Sequence, residues 1–195
     1  MTKSRLEAFS DGVIAILITI MVLELKAPHE ASFSALLKDY PLFLSYALSF
    51  VLIGIYWNNH HHLFHGIKNI SAGVMWANLH LLFWLSLISF ATAWAGETHF
   101  ATVPVAIYGF VLVMCGVAYT ILTYTLVKAN GKDSELAQAL GKDVKGKASV
   151  GIYVAAIPLA WVHPLISCLC YFAVAIMWLV PDRRLDPTAS SGKHT

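Results

Sequence analysis

Long apolar runs, separated by short polar segments, dominate the pattern of this chain. A bilayer core about 30 Å thick is crossed by about 20 helical residues. Stretches of this length that are almost wholly apolar occupy residues 6–25, 40–63, 72–95 and 102–127. Each of them predicts a transmembrane helix.

The last apolar stretch, residues 148–180, is longer than one span requires. Pro158 and Pro164 interrupt it, and residues 161–164 (Trp-Val-His-Pro) are typical of an interfacial turn, in which an aromatic residue precedes a polar tip and a helix breaker. We therefore expect two spans here, 148–162 and 164–180. The pattern as a whole predicts six transmembrane helices.

Composition supports a membrane protein and excludes a soluble domain. The 195 residues are 58% hydrophobic and 12% charged, and their mean hydropathy is +0.67, whereas an average globular protein is roughly 25% charged. A soluble domain of this size has too little interior to bury so much apolar surface. The predicted fold class is an all-α integral membrane protein, with one six-helix domain over residues 1–182 and a polar, disordered tail over 183–195.

The distribution of basic residues predicts the orientation of the six spans. Of the 13 Lys and Arg residues, only Lys26 and Lys38 lie on the side opposite the termini. The positive-inside rule then places both termini in the cytoplasm, as expected for a multi-pass protein of the inner (plasma) membrane. The polar loop 128–147 is expected to hold a short helix near Ser134–Leu140.

The first span has two distinct faces when it is read at 100° per residue. One stripe is apolar, and Thr19 lies at its flank; its members are Phe9, Gly12, Ile16, Ile20 and Leu23. The opposite face carries Glu7, Ser10, Asp11 and Ile14. The charged positions are confined to the half of the helix nearer the N-terminus.

Asp11 lies inside this span, and an intramembrane carboxylate is costly unless it faces protein or water. Polar residues at the same predicted depth come from the end of the second span and the start of the third. We expect a structural network that ties these spans together, with a proton or ion relay as the alternative. Its predicted members are Arg5, Phe9, Ser10, Asp11, Trp57, Asn58, His61 and Asn78.

Histidines form the densest polar cluster. His61 and His65 are four residues apart, and His62 and His65 three, so each pair shares a helical face and could hold Zn²⁺. No Cys or carboxylate completes a tetrahedral set nearby, so interfacial or hydrogen-bonded histidines are the simpler interpretation, and no firm metal site is predicted. The three cysteines, Cys115, Cys168 and Cys170, are expected to be reduced and to serve packing.

The sequence does not indicate an enzyme or a nucleic-acid-binding protein. It contains no Gly-x-Ser-x-Gly motif, no His-Glu-x-x-His motif and no phosphate-binding glycine loop. Its net charge of +2 is too small to favour nucleic acid.

Three segments resemble a known family. The first span opens with Arg5-x-x-x-Phe9-Ser10-Asp11, the second ends with Tyr56-Trp57-x-x-His60-His61, and the third contains Asn78-x-x-x-x-Phe83 and Ser86–Thr92. In these motifs the chain resembles the potassium-channel family of the lysosomal transmembrane protein 175, in its short bacterial form. The resemblance runs from about Arg5 to Glu97. It departs from the family at Ser89, where a proline is usual, and we expect this change to alter a kink rather than the pore.

The resemblance implies a homotetramer in which four first spans line a central pore. It places the constriction at Ile16, Ile20 and Leu23, with the Thr19 hydroxyl just outside the narrowest ring. The implied function is a potassium-permeable, modestly selective cation channel, because an apolar ring gates by dewetting and no Thr-Val-Gly-Tyr-Gly filter is present. Its partners would be the bilayer and monovalent cations, with permeant K⁺ and no cofactor.

Alternatives remain open both for the roles of these residues and for the function of the protein. Apolar residues at helical spacing in a membrane most often face lipid or a neighbouring helix, and Glu24 is either a cation-concentrating group at the outer mouth or a solvated helix end. The alternative function is a secondary transporter of cations or protons that uses Asp11 and the histidine cluster. A structural membrane scaffold is the third possibility.

Overall fold

The computed structural model describes residues 2–65, 67–131, 134, 136–137 and 143–179. These ranges contain seven α-helices of six residues or more. A 3₁₀ turn, Val22–Glu24, continues the first of them. The helices are α1 (Lys3–Met21), α2 (Phe33–Lys38), α3 (Tyr40–Phe64), α4 (Ala72–Glu97), α5 (Thr102–Asn130), α6 (Val144–Leu159) and α7 (Pro164–Leu179).

Four of these helices are long and apolar enough to cross a membrane, which confirms the first four predicted spans. They are Lys3–Glu24 (α1 with its 3₁₀ turn), α3, α4 and α5. Their ends lie within three residues of the predicted bounds. Apolar length is thus sufficient to locate each of them.

The last two predicted spans correspond to α6 and α7, which have 16 residues each. Both are shorter than the roughly 20 residues that a full bilayer crossing requires. Pro164 opens α7, where the absent N–H of a proline costs no helical hydrogen bond. The break between α6 and α7 covers residues 160–163 and so falls in the predicted turn before Pro164, whereas Pro158 lies inside α6 and does not interrupt it.

One short helix was not predicted, and two predicted segments lie wholly or mostly outside the described residues. The short helix α2 was not predicted; it begins where Ser32 accepts a hydrogen bond from the backbone N–H of Ala35 at 3.2 Å. Most of the helix expected near Ser134–Leu140, and the whole of the tail 183–195, lie outside the described residues.

The helices pack in sequence order around α4 and α5. α4 contacts α1, α3 and α5, whereas α5 contacts α4, α6 and α7. α1 packs on α3 and α4 and so lies at an edge of the bundle. The core is aliphatic, with fully buried side chains such as Leu85, Ile88, Leu112 and Leu122.

A polar tie crosses this core between α3, α4 and α5. The hydroxyls of Ser49 and Tyr108 are 2.8 Å apart, and those of Ser49 and Thr92 are 2.5 Å apart. All three residues are buried. Because buried polar groups are stable only when they are hydrogen-bonded, the tie fixes the three helices in one register.

α4 runs unbroken through Ser89, the position at which a change of kink was expected. The Ser89 hydroxyl is buried and has no hydrogen-bond partner among the described residues. Serine keeps the backbone N–H that proline lacks, so the helix has no proline-induced break here.

Candidate functional site: the exposed face of α1 and its buried anchor

One face of α1 packs against the bundle. Leu6, Ser10, Ile14 and Met21 are at most 2% exposed. Their spacing is that of one helical stripe, and they meet α3 and α4. The buried face therefore fixes how α1 is rotated about its own axis.

The opposite face of α1 carries the predicted apolar stripe, and it is uncovered. The exposed fractions of Ile16, Ile20 and Leu23 are 56%, 45% and 72%. Phe9 and Gly12 on the same stripe are also exposed. Since α1 spans the apolar layer, this face meets either lipid or other protein surfaces.

The stripe forms levels along the helix axis. Ile16 and Ile20 are four residues apart, which corresponds to about 6 Å of rise. Leu23 lies in the 3₁₀ turn, where the helix tightens. The three aliphatic side chains therefore lie at successive levels along the helix.

Thr19 is the polar residue beside these levels. It is exposed, and its hydroxyl donates to the carbonyl oxygen of Ile16 at 3.0 Å. Because the proton is used within the helix, the oxygen lone pairs remain available to a cation. Glu24, at the end of the 3₁₀ turn, is partly buried.

A buried hydrogen-bond chain anchors the other face of α1 to α3 and α4. The Asn78 side-chain amide donates to Ser10 Oγ at 2.9 Å, and Ser10 donates to the Leu6 carbonyl at 2.8 Å. His60 Nε2 lies 2.7 Å from Asn78 Oδ1. We call Ser10, Asn78 and His60, which are all at most 1% exposed, the buried anchor.

The direction of every bond in the buried anchor follows from its chemistry. The amide N of Asn78 faces Ser10, so the amide oxygen faces His60 and can only accept. His60 therefore carries its proton on Nε2. The ring stacks on Phe64 with centroids 4.6 Å apart, which holds it in that orientation.

Asp11 takes part in a second, exposed contact between α1 and α3. The indole N–H of Trp57 donates to its carboxylate at 3.0 Å. Both residues are exposed on the single chain. The carboxylate thus lies on a side of α1 away from the apolar stripe, in the half of the helix nearer the N-terminus, and outside the core of the subunit.

The structure changes which residues belong to the predicted polar network. The histidine that joins it is His60, not His61, because His60 is seven residues after the buried Ile53 and shares its face toward α4, whereas His61 is turned to the outside. Arg5 and Asn58 are exposed and make no hydrogen bond or ion pair within the described ranges. Phe9 belongs to the exposed stripe.

The histidines of the predicted cluster differ in exposure. His61 and His65 are exposed and His62 is partly buried. In the part of the chain that the structure describes, no three His, Cys, Asp or Glu side chains converge in a way that could hold a metal. The three cysteines are free, and Cys115 is buried in the core.

Long apolar helices and an edge helix with an exposed aliphatic face define a helical protein that spans the membrane. The sequence model of the family described as endosomal/lysosomal potassium channel TMEM175 matches residues 5–88. A potassium channel of Chryseobacterium sp. strain P1-3 is 50% identical over 186 residues, which are 95% of this chain and 97% of that relative. The chain belongs to the TMEM175 family.

Other relatives cover different shares of the chain. A potassium channel of Chamaesiphon minutus is 29% identical over 88% of this chain and 91% of its own length. The endosomal/lysosomal proton channel TMEM175 of Danio rerio is 40% identical over 76 residues, 33% of this chain and 15% of that protein. The fold is similar to the crystal structure of a lysosomal potassium-selective channel TMEM175 homolog from Chamaesiphon minutus, with a TM-score of 0.83, 28% identity, and coverage of 92% of this chain and 97% of that one.

Proposed function

We propose that this chain is one subunit of a potassium channel in which α1 from four copies lines a central pore. Relatives that match nearly the whole chain are named potassium channels, and the similar crystal structure is that of a potassium-selective channel. The observation that carries the proposal is the exposed aliphatic face of α1, on a helix whose other face is locked to its neighbours.

In this proposal Ile16, Ile20 and Leu23 form the constriction. Four copies of each side chain make an apolar ring, and a narrow apolar ring empties of water and opposes ions by desolvation. Such a ring distinguishes K⁺ from Na⁺ by the cost of removing water, which leads to modest selectivity. The Thr19 lone pairs lie beside the rings and replace part of the lost hydration.

The buried anchor supports this role because it sets the rotation of α1. A 100° rotation would replace one residue of the stripe by its neighbour, since consecutive residues differ by that angle. The bonds from Asn78 to Ser10 and to His60 join α1, α4 and α3 at one level. We infer that they hold the apolar stripe, rather than the neighbouring residues, toward the pore axis.

The proposed topology is a single six-helix unit over residues 1–182, made of α1, α3, α4, α5, α6 and α7, in the plasma membrane. Both termini lie in the cytoplasm, since this orientation places all but two of the basic residues on that side. One exposed stripe cannot enclose a path for ions, so several copies of α1 must close a ring around the pore axis. The number of four copies is proposed from the resemblance to the family.

Purified protein in liposomes under a K⁺ gradient tests the function. A channel dissipates the gradient and gives unitary currents, and K⁺ is preferred over Na⁺. A coupled, saturating flux without unitary currents would indicate a transporter, and no flux would indicate a scaffold; either result contradicts the proposal. The mass of the particle in detergent, measured by light scattering with the detergent subtracted, tests the tetramer separately.

A further inference from the structure

An open groove of about 600 Å³ lies between α5 and α6, on the side of the subunit away from α1. Apolar side chains form much of its wall, namely Val117, Ile121, Val127 and Val150, and Tyr124 and Lys147 also line it. We propose that this groove binds one anionic phospholipid of the bilayer, with its acyl chain along the apolar wall and its phosphate at Lys147.

Because α6 is short, Lys147 lies close to the depth of the lipid phosphates. α6 has 16 residues, or about 24 Å of helix, which is less than the bilayer core of about 30 Å. Lys147 is the fourth residue of this short helix. A lysine at the end of a helix that is too short draws lipid headgroups toward it or extends to reach them.

The charge of Lys147 is available to a phosphate. Its side chain is exposed and forms no hydrogen bond or ion pair with any residue in the described ranges. Lys145, two residues earlier, is engaged: its ammonium lies 5.7 Å from the centroid of the Trp178 ring and 3.4 Å from the Met177 carbonyl oxygen. The two lysines therefore have different roles.

The nearby carboxylate does not cancel this charge. Asp143 also lines the groove, but it accepts a hydrogen bond from the backbone N–H of Gly146 at 3.1 Å and caps α6. The partial positive charge of a helix N-terminus offsets a carboxylate in this position. Lys147 thus remains the basic group that faces the groove.

Two threonines of α5, Thr120 and Thr123, also line the groove. Thr123 lines the groove, and its Oγ is buried with no hydrogen-bond partner among the described residues. Thr120, one turn earlier, instead donates to the Gly116 carbonyl at 2.9 Å. Neither hydroxyl is therefore assigned to the lipid, and the contact with its phosphate is made by Lys147.

Retention of phosphatidylglycerol by the purified protein tests this proposal. Protein equilibrated with mixed micelles of phosphatidylglycerol and phosphatidylcholine is re-isolated, and the bound lipids are counted by mass spectrometry. Because one basic contact near the membrane surface contributes about a fivefold change in lipid affinity, Lys147→Gln should bind phosphatidylglycerol about fivefold more weakly.

Lys68→Gln is the matched control. Lys68 is also exposed, and its backbone N–H bonds to Asn130 at the end of α5, so it lies at the same membrane face but does not line the groove. It should retain lipid as the unchanged protein does. Equal losses in both variants, or no loss in Lys147→Gln, would overturn a site at Lys147.

A second variant tests the groove itself. Thr120→Phe fills it while leaving every charge in place, and it should lose phosphatidylglycerol although it adds apolar surface. Correct folding is checked by its circular dichroism and elution volume. Full retention in Thr120→Phe, or displacement of the lipid by an excess of inorganic phosphate, would show that a lipid in this groove is not the ligand.

Discussion

At the residue scale, the most informative feature is the orientation of Asn78. Its amide has donors on one side and an acceptor on the other, and the buried anchor uses both, toward Ser10 and His60. Neither neighbour has solvent to replace a lost bond, since all three residues are at most 1% exposed. One side chain therefore joins three helices.

Asn78→Ala should lower the free energy of unfolding by about 2 kcal/mol, because it leaves two buried polar groups unsatisfied. The measurement is thermal or denaturant unfolding of the purified protein in detergent. Asn58→Ala is the control: Asn58 is exposed and has no partner in the described ranges, so its loss should cost less than about 0.5 kcal/mol. Equal losses of unfolding free energy in the two variants would show that the buried anchor does not stabilise the subunit.

Replacing Ser89 or Ser49 by alanine should change the free energy of unfolding in opposite directions. Ser89 has a buried hydroxyl without a partner in the described part of the chain, whereas Ser49 is bonded to both Tyr108 and Thr92. Ser89→Ala should raise the free energy of unfolding by about 1 kcal/mol, and Ser49→Ala should lower it by a similar amount. The same unfolding experiment checks both, and a destabilised Ser89→Ala would mean that this hydroxyl has a partner in the assembled protein.

At the element scale, the sequence predicted the long helices well and the polar contacts only in part. Four spans follow from apolar length, and the two faces of α1 follow from helical periodicity. The histidine of the anchor was misassigned, because adjacent residues such as His60 and His61 have the same type and depth. Only the packing of α3 against α4 decides which of them is inside.

Other contacts had no clear sequence signal. The tie between Ser49, Thr92 and Tyr108 joins residues far apart in the chain, and serine or threonine in an apolar helix usually bonds its own backbone. The short helix α2 and the exact end of α1 depend on local caps and on the 3₁₀ turn. Periodicity alone locates a face, but it does not select the partner of a polar side chain.

Asn130, at the end of α5, binds the loop between α3 and α4. Asn130 Oδ1 accepts from the backbone N–H groups of Lys68 and Asn69 at 3.1 and 2.9 Å, and its amide donates to the Asn69 carbonyl at 3.1 Å. Asn130→Ala should therefore speed hydrogen exchange at the Lys68 and Asn69 amides at least about fivefold, since each loses its bond. Mass spectrometry with Asn58→Ala as the control measures it; unchanged exchange would show that the loop is held by other contacts.

At the scale of the whole molecule, α1 and the short helices α6 and α7 lie at different edges of the subunit. α1 lies at one edge and presents its aliphatic stripe, while α5, α6 and α7 pack away from it. In the proposed tetramer this arrangement places α1 at the axis and the short helices at the periphery. In that proposal the apolar composition serves the bilayer over most of the surface and the ion at three positions of one helix.

The central claim is that Ile16 lines the ion path, and reversal potentials between K⁺ and Na⁺ solutions test it most directly. Ile16→Asn should raise the unitary conductance and move the reversal potential toward zero, because an amide lowers the cost of desolvating either ion. Ile107→Asn, an equally large change at an exposed position of α5, should leave both values unaltered. An unchanged reversal potential and conductance in Ile16→Asn would contradict the account.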